Sequence, residues 1–323
     1  MQIPVELRSA LDACLEGVAR AELMQRAERI SSLYRERTGS AVAVRDETDA
    51  LAYAITRSPA TYGAARNVLE RLAERNPGFN PMTALDLGSG AGAASWAVCD
   101  AWPGISAITQ IDCHGALFAL NERLAGYSSC EALRGAKRIT ADVTRALDAD
   151  AAELVVLSYM LAEMTDAQVQ AVLQRAWEHC TGAMVVVEPG TPVGYKKVLA
   201  ARRFALENGG RVLAPCPHEE ACPLVAPDWC HFAQRVERSR DHRMVKGAEL
   251  PYEDEKFSYV IAVREAVFVP ARAARILARP VEERAAITVK LCRMDGSAGA
   301  TTVLRRARQE YKKAKKSGWG GEF

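Results

Sequence analysis

The chain has no run of about 18 consecutive apolar residues, the length a helix needs to span a bilayer, so nothing in it reads as a membrane segment. Its first residues, MQIPVELRSALDACLEGVA, carry Glu6, Asp12 and Glu16 where a secretory signal needs an unbroken apolar stretch. Together these absences predict a cytoplasmic globular protein with no membrane partner. No internal repeat is visible. An excess of one charge is also missing: 42 Lys and Arg stand against 40 Asp and Glu, a net +2, so the overall charge selects neither an acidic nor a basic partner. Without an export signal, the nine cysteines are expected as reduced thiols and not as a disulfide framework.

Hydrophobic residues fill 49% of the 323 positions, enough for the core of a full α/β domain plus a smaller unit. Within that composition the most informative residues are Cys216, Cys222, Cys230 and Cys292. The first three lie in APCPHEEACPLVAPDWCHF, where Pro215, Pro217, Pro223 and Pro227 remove backbone donors and fix φ, so the segment must loop. A loop holding three thiols needs something to wrap around. Thiolates bind iron-sulfur clusters or zinc, and a fourth ligand is often brought from a distant segment by the fold. Cys292 in Val289-Lys290-Leu291-Cys292-Arg293 is the best candidate for it. A zinc site would instead recruit His218 or His231 into a mixed tetrahedron, and spacing alone leaves both metal readings open beside that of buried structural thiols. Cys14, Cys99, Cys113, Cys130 and Cys180 fall in apolar-periodic segments and are expected to be packing residues.

Residues 1–80 read as a helical unit, with Leu7, Leu11, Cys14, Leu15 and Val18 on one face and Leu23, Ala27, Ile30, Leu33 and Tyr34 on the next. A further helix is predicted to start at Ser58-Pro59, an N-cap followed by proline at the first helical position. The turn residues of Asn76-Pro-Gly-Phe-Asn-Pro81 mark a boundary. Over residues 81–304 short apolar runs alternate with amphipathic segments. Strands are predicted near 83–87, 107–111, 137–141, 153–158 and 183–187, and helices near 92–101, 114–125, 166–179 and 192–208. That alternation implies a Rossmann-like parallel sheet covered on both faces. A cysteine-rich loop over 210–250 interrupts it, KFSYVIAV resumes it at Lys256, and apolar runs near 285–292 and 300–304 are expected to complete the sheet edge.

In Ala84-Leu-Asp-Leu-Gly-Ser-Gly-Ala-Gly-Ala-Ala-Ser95, Asp86 ends a strand while Gly88, Gly90 and Gly92 form the turn into a helix. Such glycines let a ligand approach the backbone, and the helix N-terminus offers unpaired N–H groups. A dinucleotide fingerprint would want glycine at position 93, which is alanine. Asp112 ends the second strand, where a carboxylate can accept both ribose hydroxyls, and Asp142 ends the third, near where an adenine would lie. Each aspartate alone could be a helix cap. With the glycine loop they resemble a class I S-adenosylmethionine-dependent methyltransferase. After the fourth strand stands Leu157-Ser158-Tyr159-Met160-Leu161-Ala162-Glu163 in place of the Asn-Pro-Pro-Tyr-like turn common in base N-methylation. Ser158 and Tyr159 are placed at the cofactor pocket, Tyr159 most simply as a closing wall. Together with Glu163 they could alternatively orient a substrate. No catalytic residue is assigned.

This sheet followed by APCPHEEACPL, WCHFAQRVER, YEDEKFSYV and CRMDG, with a basic tail and WG at the end, resembles the family of mitochondrial and bacterial small-ribosomal-subunit methyltransferase-like assembly factors, from about residue 30 onward. The resemblance implies association with small-subunit ribosomal RNA during assembly and a 4Fe-4S cluster on Cys216, Cys222, Cys230 and Cys292. Two functions are compatible with it, an RNA methyltransferase and a non-catalytic RNA-binding assembly factor. RRARQEYKKAKK at 305–316 holds seven basic residues against one acid, and Tyr311 and Trp319 offer stacking groups beside them, so residues 305–323 are expected to be a basic tail that clamps RNA with little to bury. Lys196, Lys197, Arg202, Arg203, Arg235, Arg238, Arg240, Arg243 and Lys246 are expected to add phosphate contacts around the cysteine loop.

Overall fold

The structure, a computed structural model, describes residues 1–35 and 43–323, with the side chains of 34 and 35 excepted. Tyr34, placed on the face of the second helix from sequence, therefore lies outside the described side chains. The chain opens with helices α1 (Val5–Cys14) and α2 (Arg20–Arg35), followed by the long α3 (Glu47–Arg75). The helix expected with Ser58 as its N-cap starts twelve residues earlier. Asp46 caps it by accepting the Asp49 amide at 2.8 Å, and Pro59 lies inside it. An interior proline removes the bond to the carbonyl four residues back and costs about 3 kcal/mol. Ile55, Tyr62, Val68, Leu69 and Leu72 are all buried along α3. At about 1.5–3 kcal/mol for each large side chain, their burial outweighs the proline.

Then come β1 (Thr83–Leu87), α4 (Ala93–Ala101), β2 (Ala107–Asp112), α5 (Gly115–Ala125), α6 (Glu131–Arg134), β3 (Lys137–Thr140) and β4 (Ala152–Ser158). They are followed by α7 (Asp166–Glu178), β5 (Cys180–Pro189), α8 (Pro192–Glu207), β6 (Gly210–Ala214), β7 (Phe232–Glu237), α9 (Arg240–Lys246) and β8 (Tyr252–Arg264). The main sheet has the order β3-β2-β1-β4-β5-β8-β6, parallel from β3 to β5, with β8 antiparallel to both β5 and β6. This is the Rossmann-like α/β sheet of the class I methyltransferases, with its one reversed strand inserted next to the last. Phe257–Val263 are buried without interruption, as a strand covered on both faces must be, whereas Tyr252–Lys256 stay partly exposed where β8 pairs only with β7.

Successive residues of β5 serve opposite faces. Val185 and Val187 join the core under α3, α4 and α5, while Met184 and Val186 join the core under α7 and α8. The first core runs from Leu7 to Val263, so α1 to α3 share it with the sheet. Leu87 pairs with both Ile111 and Leu157, and Ser158 with Val187, which brings the carboxyl ends of β1, β2, β4 and β5 to one level. Among the described residues no helix is long and apolar enough to cross a membrane.

Three expectations change here. The segment 210–250 is not one loop: β6, β7 and α9 lie within it, and its irregular part is 215–231. The apolar runs near 285–292 and 300–304 do not extend the main sheet. They form β11 (Ala286–Cys292) and β12 (Ala298–Leu304), which pair with each other and build a second sheet with β9 (Arg275–Ile276) and β10 (Val281–Glu282). That sheet has its own small core of Ile276, Ile287, Val289, Leu291 and Val303, closed by Ala314 of α10 (Arg308–Lys316). Residues 305–323, expected to have little to bury, are thus packed down. Trp319 donates its indole N–H to the His231 carbonyl at 2.9 Å, and the Gly320 and Phe323 amides bond to the carbonyls of Ile276 and Ala274.

Candidate functional site

The β1–α4 turn carries three glycines with φ of +70° (Gly88), +51° (Gly90) and +84° (Gly92). Gly88 and Ser89 donate their amides to the Ile111 carbonyl, and Gly90 donates its amide to Asp112 Oδ2 at 2.8 Å, tying the turn to the end of β2. A Cβ at Gly90 would meet nothing within 4 Å, because the residue faces open space. One at Gly92 would lie 2.5 Å from Asn121 Oδ1. The open space is a cleft of about 340 Å³ at the carboxyl ends of β1, β2 and β4, where open α/β sheets bind their ligands.

Of the residues expected to hold the cofactor, Gly88, Gly90, Asp112, Asp142, Ser158 and Tyr159 line this cleft. Asp86 and Gly92 do not. Asp86 is 1% exposed and lies beneath the turn, with Oδ2 accepting from Ser95 Oγ at 2.6 Å. Gln110 and Asn121 continue that buried network and reach the Gly90 carbonyl. Asp86 and Gly92 therefore shape the turn from behind. Asp112 also accepts the His114 amide at 2.7 Å, and burial holds its carboxyl above the usual range even though both amides oppose the shift. Asp142 accepts the amide and hydroxyl of Thr144, which hold its carboxyl below the usual range. Cys113, expected to be a packing residue, is exposed and lines the cleft, because β2 ends just before it.

Burial raises the Asp86 carboxyl to about 7. The unfolded chain releases that proton near 3.9, so the stability it contributes is complete below about pH 4 and is lost as pH rises through about 7. Asp86→Asn is expected to flatten the fall in stability between pH 5 and 8 by up to a few kcal/mol, since each tenfold difference in proton affinity between the folded and unfolded chain is worth about 1.4 kcal/mol. Urea denaturation of both proteins across that range measures it, and parallel curves would refute it.

Sequence reasoning missed Glu188, which is wholly buried at the end of β5. Its carboxylate accepts three successive amides, Met160 at 3.1 Å, Leu161 at 2.8 Å and Ala162 at 3.0 Å, and burial raises it to about 7 against those bonds. The signal was a lone acid closing the apolar run of β5. Its grip sets the turn after β4, in which Tyr159 has φ +56°, rare for a side chain of this size. The Tyr159 hydroxyl donates to Glu255 Oε1 on β8 at 2.8 Å.

Cys216, Cys222 and Cys230 from segment 215–231 and Cys292 at the end of β11 all line a single cavity. Its wall includes Val198, Leu199, Leu224, Val260 and Leu277, with Arg202 and Arg275, both almost wholly buried, beside the thiols. Tyr195 Oη lies 3.0 Å from Cys222 Sγ and His218 Nε2 lies 3.3 Å from Cys292 Sγ. Burial, then the other thiols, pushes Cys292 up to about 12 and Cys230 well above its ordinary value. Among the described residues no three His, Cys, Asp or Glu side chains converge tightly enough to hold one metal ion. His231, the other candidate zinc ligand, packs against the rings of Trp229 and Trp319.

The basic residues expected around the loop divide. Lys197 is paired with Asp166, Arg235 with Asp254, and Arg238 and Lys246 with Glu253, while Arg202 donates to the carbonyls of His218 and Glu220. These side chains already have partners within the chain. Arg305, Arg306, Arg308, Lys312, Lys315 and Lys316 stand exposed on and before α10.

The human protein "Ribosome assembly protein METTL17, mitochondrial" is 29% identical over 287 residues, covering 84% of this chain, and the chain spans 61% of that relative's length. Among solved structures, a putative RNA methyltransferase from Pyrococcus horikoshii overlays with a TM-score of 0.40 at 14% identity, over 62% of this chain and 81% of that one. Magnesium protoporphyrin IX methyltransferase from Synechocystis PCC 6803 with bound SAH overlays at 0.43 and 11% identity, over 72% and 93%. Strand order and register, not these overlays, fix the fold class. The sequence pattern described as "Mitochondrial small ribosomal subunit Rsm22" matches residues 47–323, from the start of α3 through the glycine turn, all four cysteines and α10, so the chain belongs to the Rsm22 family.

Proposed function

We propose that this chain binds S-adenosylmethionine in the cleft beside the glycine turn and acts with small-subunit ribosomal RNA during ribosome assembly. The observation that carries this reading is the turn itself: Gly88 and Gly90 in left-handed conformations at the mouth of an open cleft, with Asp112 holding the Gly90 amide. Asp112 spends one lone pair per oxygen on amides, which leaves acceptor capacity for ribose hydroxyls. The name of the human relative and the exposed basic face of α10 support a ribosomal RNA partner, since clustered Lys and Arg neutralise phosphates.

We further propose a 4Fe-4S cluster on Cys216, Cys222, Cys230 and Cys292. Four thiols line one cavity, three of them from a proline-rich segment and the fourth from β11, and that shared cavity is what supports the assignment. Arg202 and Arg275 would offset the thiolate charge. The cluster would supply cross-linking of the loop to β11, because thiolate ligation couples to folding.

A non-catalytic reading, in which the cleft and the cluster only stabilise a binding surface, is favoured by one feature: Ser158-Tyr159-Met160-Leu161 stands where base N-methyltransferases commonly carry Asn-Pro-Pro-Tyr. Calorimetry with S-adenosylmethionine tests the shared step. Gly90→Arg is expected to abolish binding by filling the cleft, and Asp112→Ala to weaken it about tenfold or more, the value of a charge-assisted hydrogen bond. No binding to the unaltered protein would overturn the cofactor assignment. A methyl-transfer assay on small subunits from a deletion strain then separates the two readings.

A further inference from the structure

The residues of α8 that follow its Thr191 cap divide between two spaces. Tyr195, Val198, Leu199 and Arg202, at helical spacing, face the cavity of the four thiols, whereas Lys196, Leu199, Ala200 and Arg203 line a groove of about 550 Å³ between α7, α8 and the cysteine segment. Of the four thiols, Cys222 lines both spaces, while Cys216, Cys230 and Cys292 line the cavity and not the groove. Lys196, Arg203 and Ala221 are exposed, so the groove reaches solvent. The segment is moored on either side of Cys222: Arg202 donates to the Glu220 carbonyl at 2.7 Å, and Trp229 donates its indole N–H to the Gly190 carbonyl at 3.0 Å. Between those moorings the Tyr195 side chain, 9% exposed, sets its hydroxyl 3.0 Å from Cys222 Sγ.

We propose that Cys222 is the solvent-side ligand of the cluster and that Tyr195 is its positioning residue, donating its hydroxyl to the Cys222 thiolate. A ligating sulfur carries no proton, so of these two atoms the phenol oxygen is the donor. The bond is then charge-assisted, about twice as strong as one between neutral groups. It draws charge from the sulfur, which favours the more electron-rich reduced form of a cluster. It also holds in place the ligand nearest the groove, where water and chelators arrive. Phenylalanine would fill the same wall of the cavity, so the hydroxyl is what tyrosine adds at this position. The role rests on the cluster proposed for the four cysteines.

The test compares the unaltered, anaerobically purified protein with Tyr195→Phe and with Tyr259→Phe, which takes a hydroxyl from the wall of the same cavity. Tyr195→Phe is expected to keep its iron and sulfide but to release iron to bathophenanthroline disulfonate about tenfold faster, the value of one charge-assisted hydrogen bond. Its midpoint potential, read by dye-mediated titration, is expected to fall. Tyr259→Phe is expected to change neither. An unshifted potential in Tyr195→Phe would overturn the hydrogen bond, and unchanged iron release would overturn the solvent-side placing of Cys222. Equal changes in the two variants would overturn both, and all three results spare the cluster. Loss of all iron from Tyr195→Phe alone would make the hydroxyl a requirement of the loop's fold and overturn its tuning role. Stoichiometric zinc without sulfide in the unaltered protein would overturn the cluster and this role together.

Discussion

Cys292→Ser is expected to strip iron and acid-labile sulfide from anaerobically purified protein and to bleach its colour. An outer-sphere partner of a metal site is worth about 10–100-fold in affinity, and a direct thiolate ligand exceeds that. Cys292 is also the one member of the set outside the 215–231 segment, so its loss unhooks the second sheet from the loop. Among the polar contacts that then remain between them are the Lys290–Asp228 pair and the Arg275 bond to the Pro215 carbonyl at 3.0 Å. Limited proteolysis should find new cuts between 215 and 231. Cys216→Ser, which leaves β11 untouched, is expected to lose the same metal and colour, which separates ligand loss from damage to the small sheet. Stoichiometric zinc without sulfide, or unchanged iron in both variants, would defeat the cluster assignment. An unaltered cleavage pattern would show that the loop holds itself without metal.

Truncation after Leu304 is expected to unfold the second sheet and not merely to weaken RNA binding. The cut removes Ala314 from a core of few residues, the Trp319 bond to His231, and both partners of the buried Arg275 guanidinium beyond the loop, the Gly320 carbonyl at 2.8 Å and Glu322 at 3.1 Å. Stranding a buried charge costs about 3–5 kcal/mol, and each lost hydrogen bond about 1 kcal/mol more. Replacing Arg308, Lys312, Lys315 and Lys316 with glutamine tests the charge without the fold. Each phosphate no longer neutralised should lower the slope of log affinity against log salt by about 0.7–0.9. Filter binding to small-subunit ribosomal RNA across a salt series reads the slope, and thermal melts read the fold. A truncated protein that melts with the full chain would show these contacts to be idle, and identical salt slopes would move the RNA surface elsewhere.

The alternation of β1 to β5 with their helices was legible because each element is a local pattern: apolar runs of strand length, helical periodicity, and glycines where the chain must turn left-handed. The glycine turn and Asp112 were legible for the same reason, since a strand end followed by Gly88-Ser89-Gly90 has few other uses. Pro59 misled because a local rule for helix starts was outweighed by burial of a face that only the sheet supplies. Trp319 and Tyr311 suggested free stacking groups, yet Trp319 is spent on His231, 88 residues away in sequence.

The sequence by itself determined the α/β class, the glycine turn, the carboxylates at the strand ends and the set of four cysteines. Tertiary structure alone decided that β8 enters between β5 and β6, that β11 and β12 leave the main sheet, that Asp86 lies behind the cleft, and that Glu188 and Glu255 hold Tyr159 in its wall. Propensity and periodicity act over a few residues, whereas these choices are made by which distant surfaces bury one another and which buried carboxylates find amides and hydroxyls to accept from.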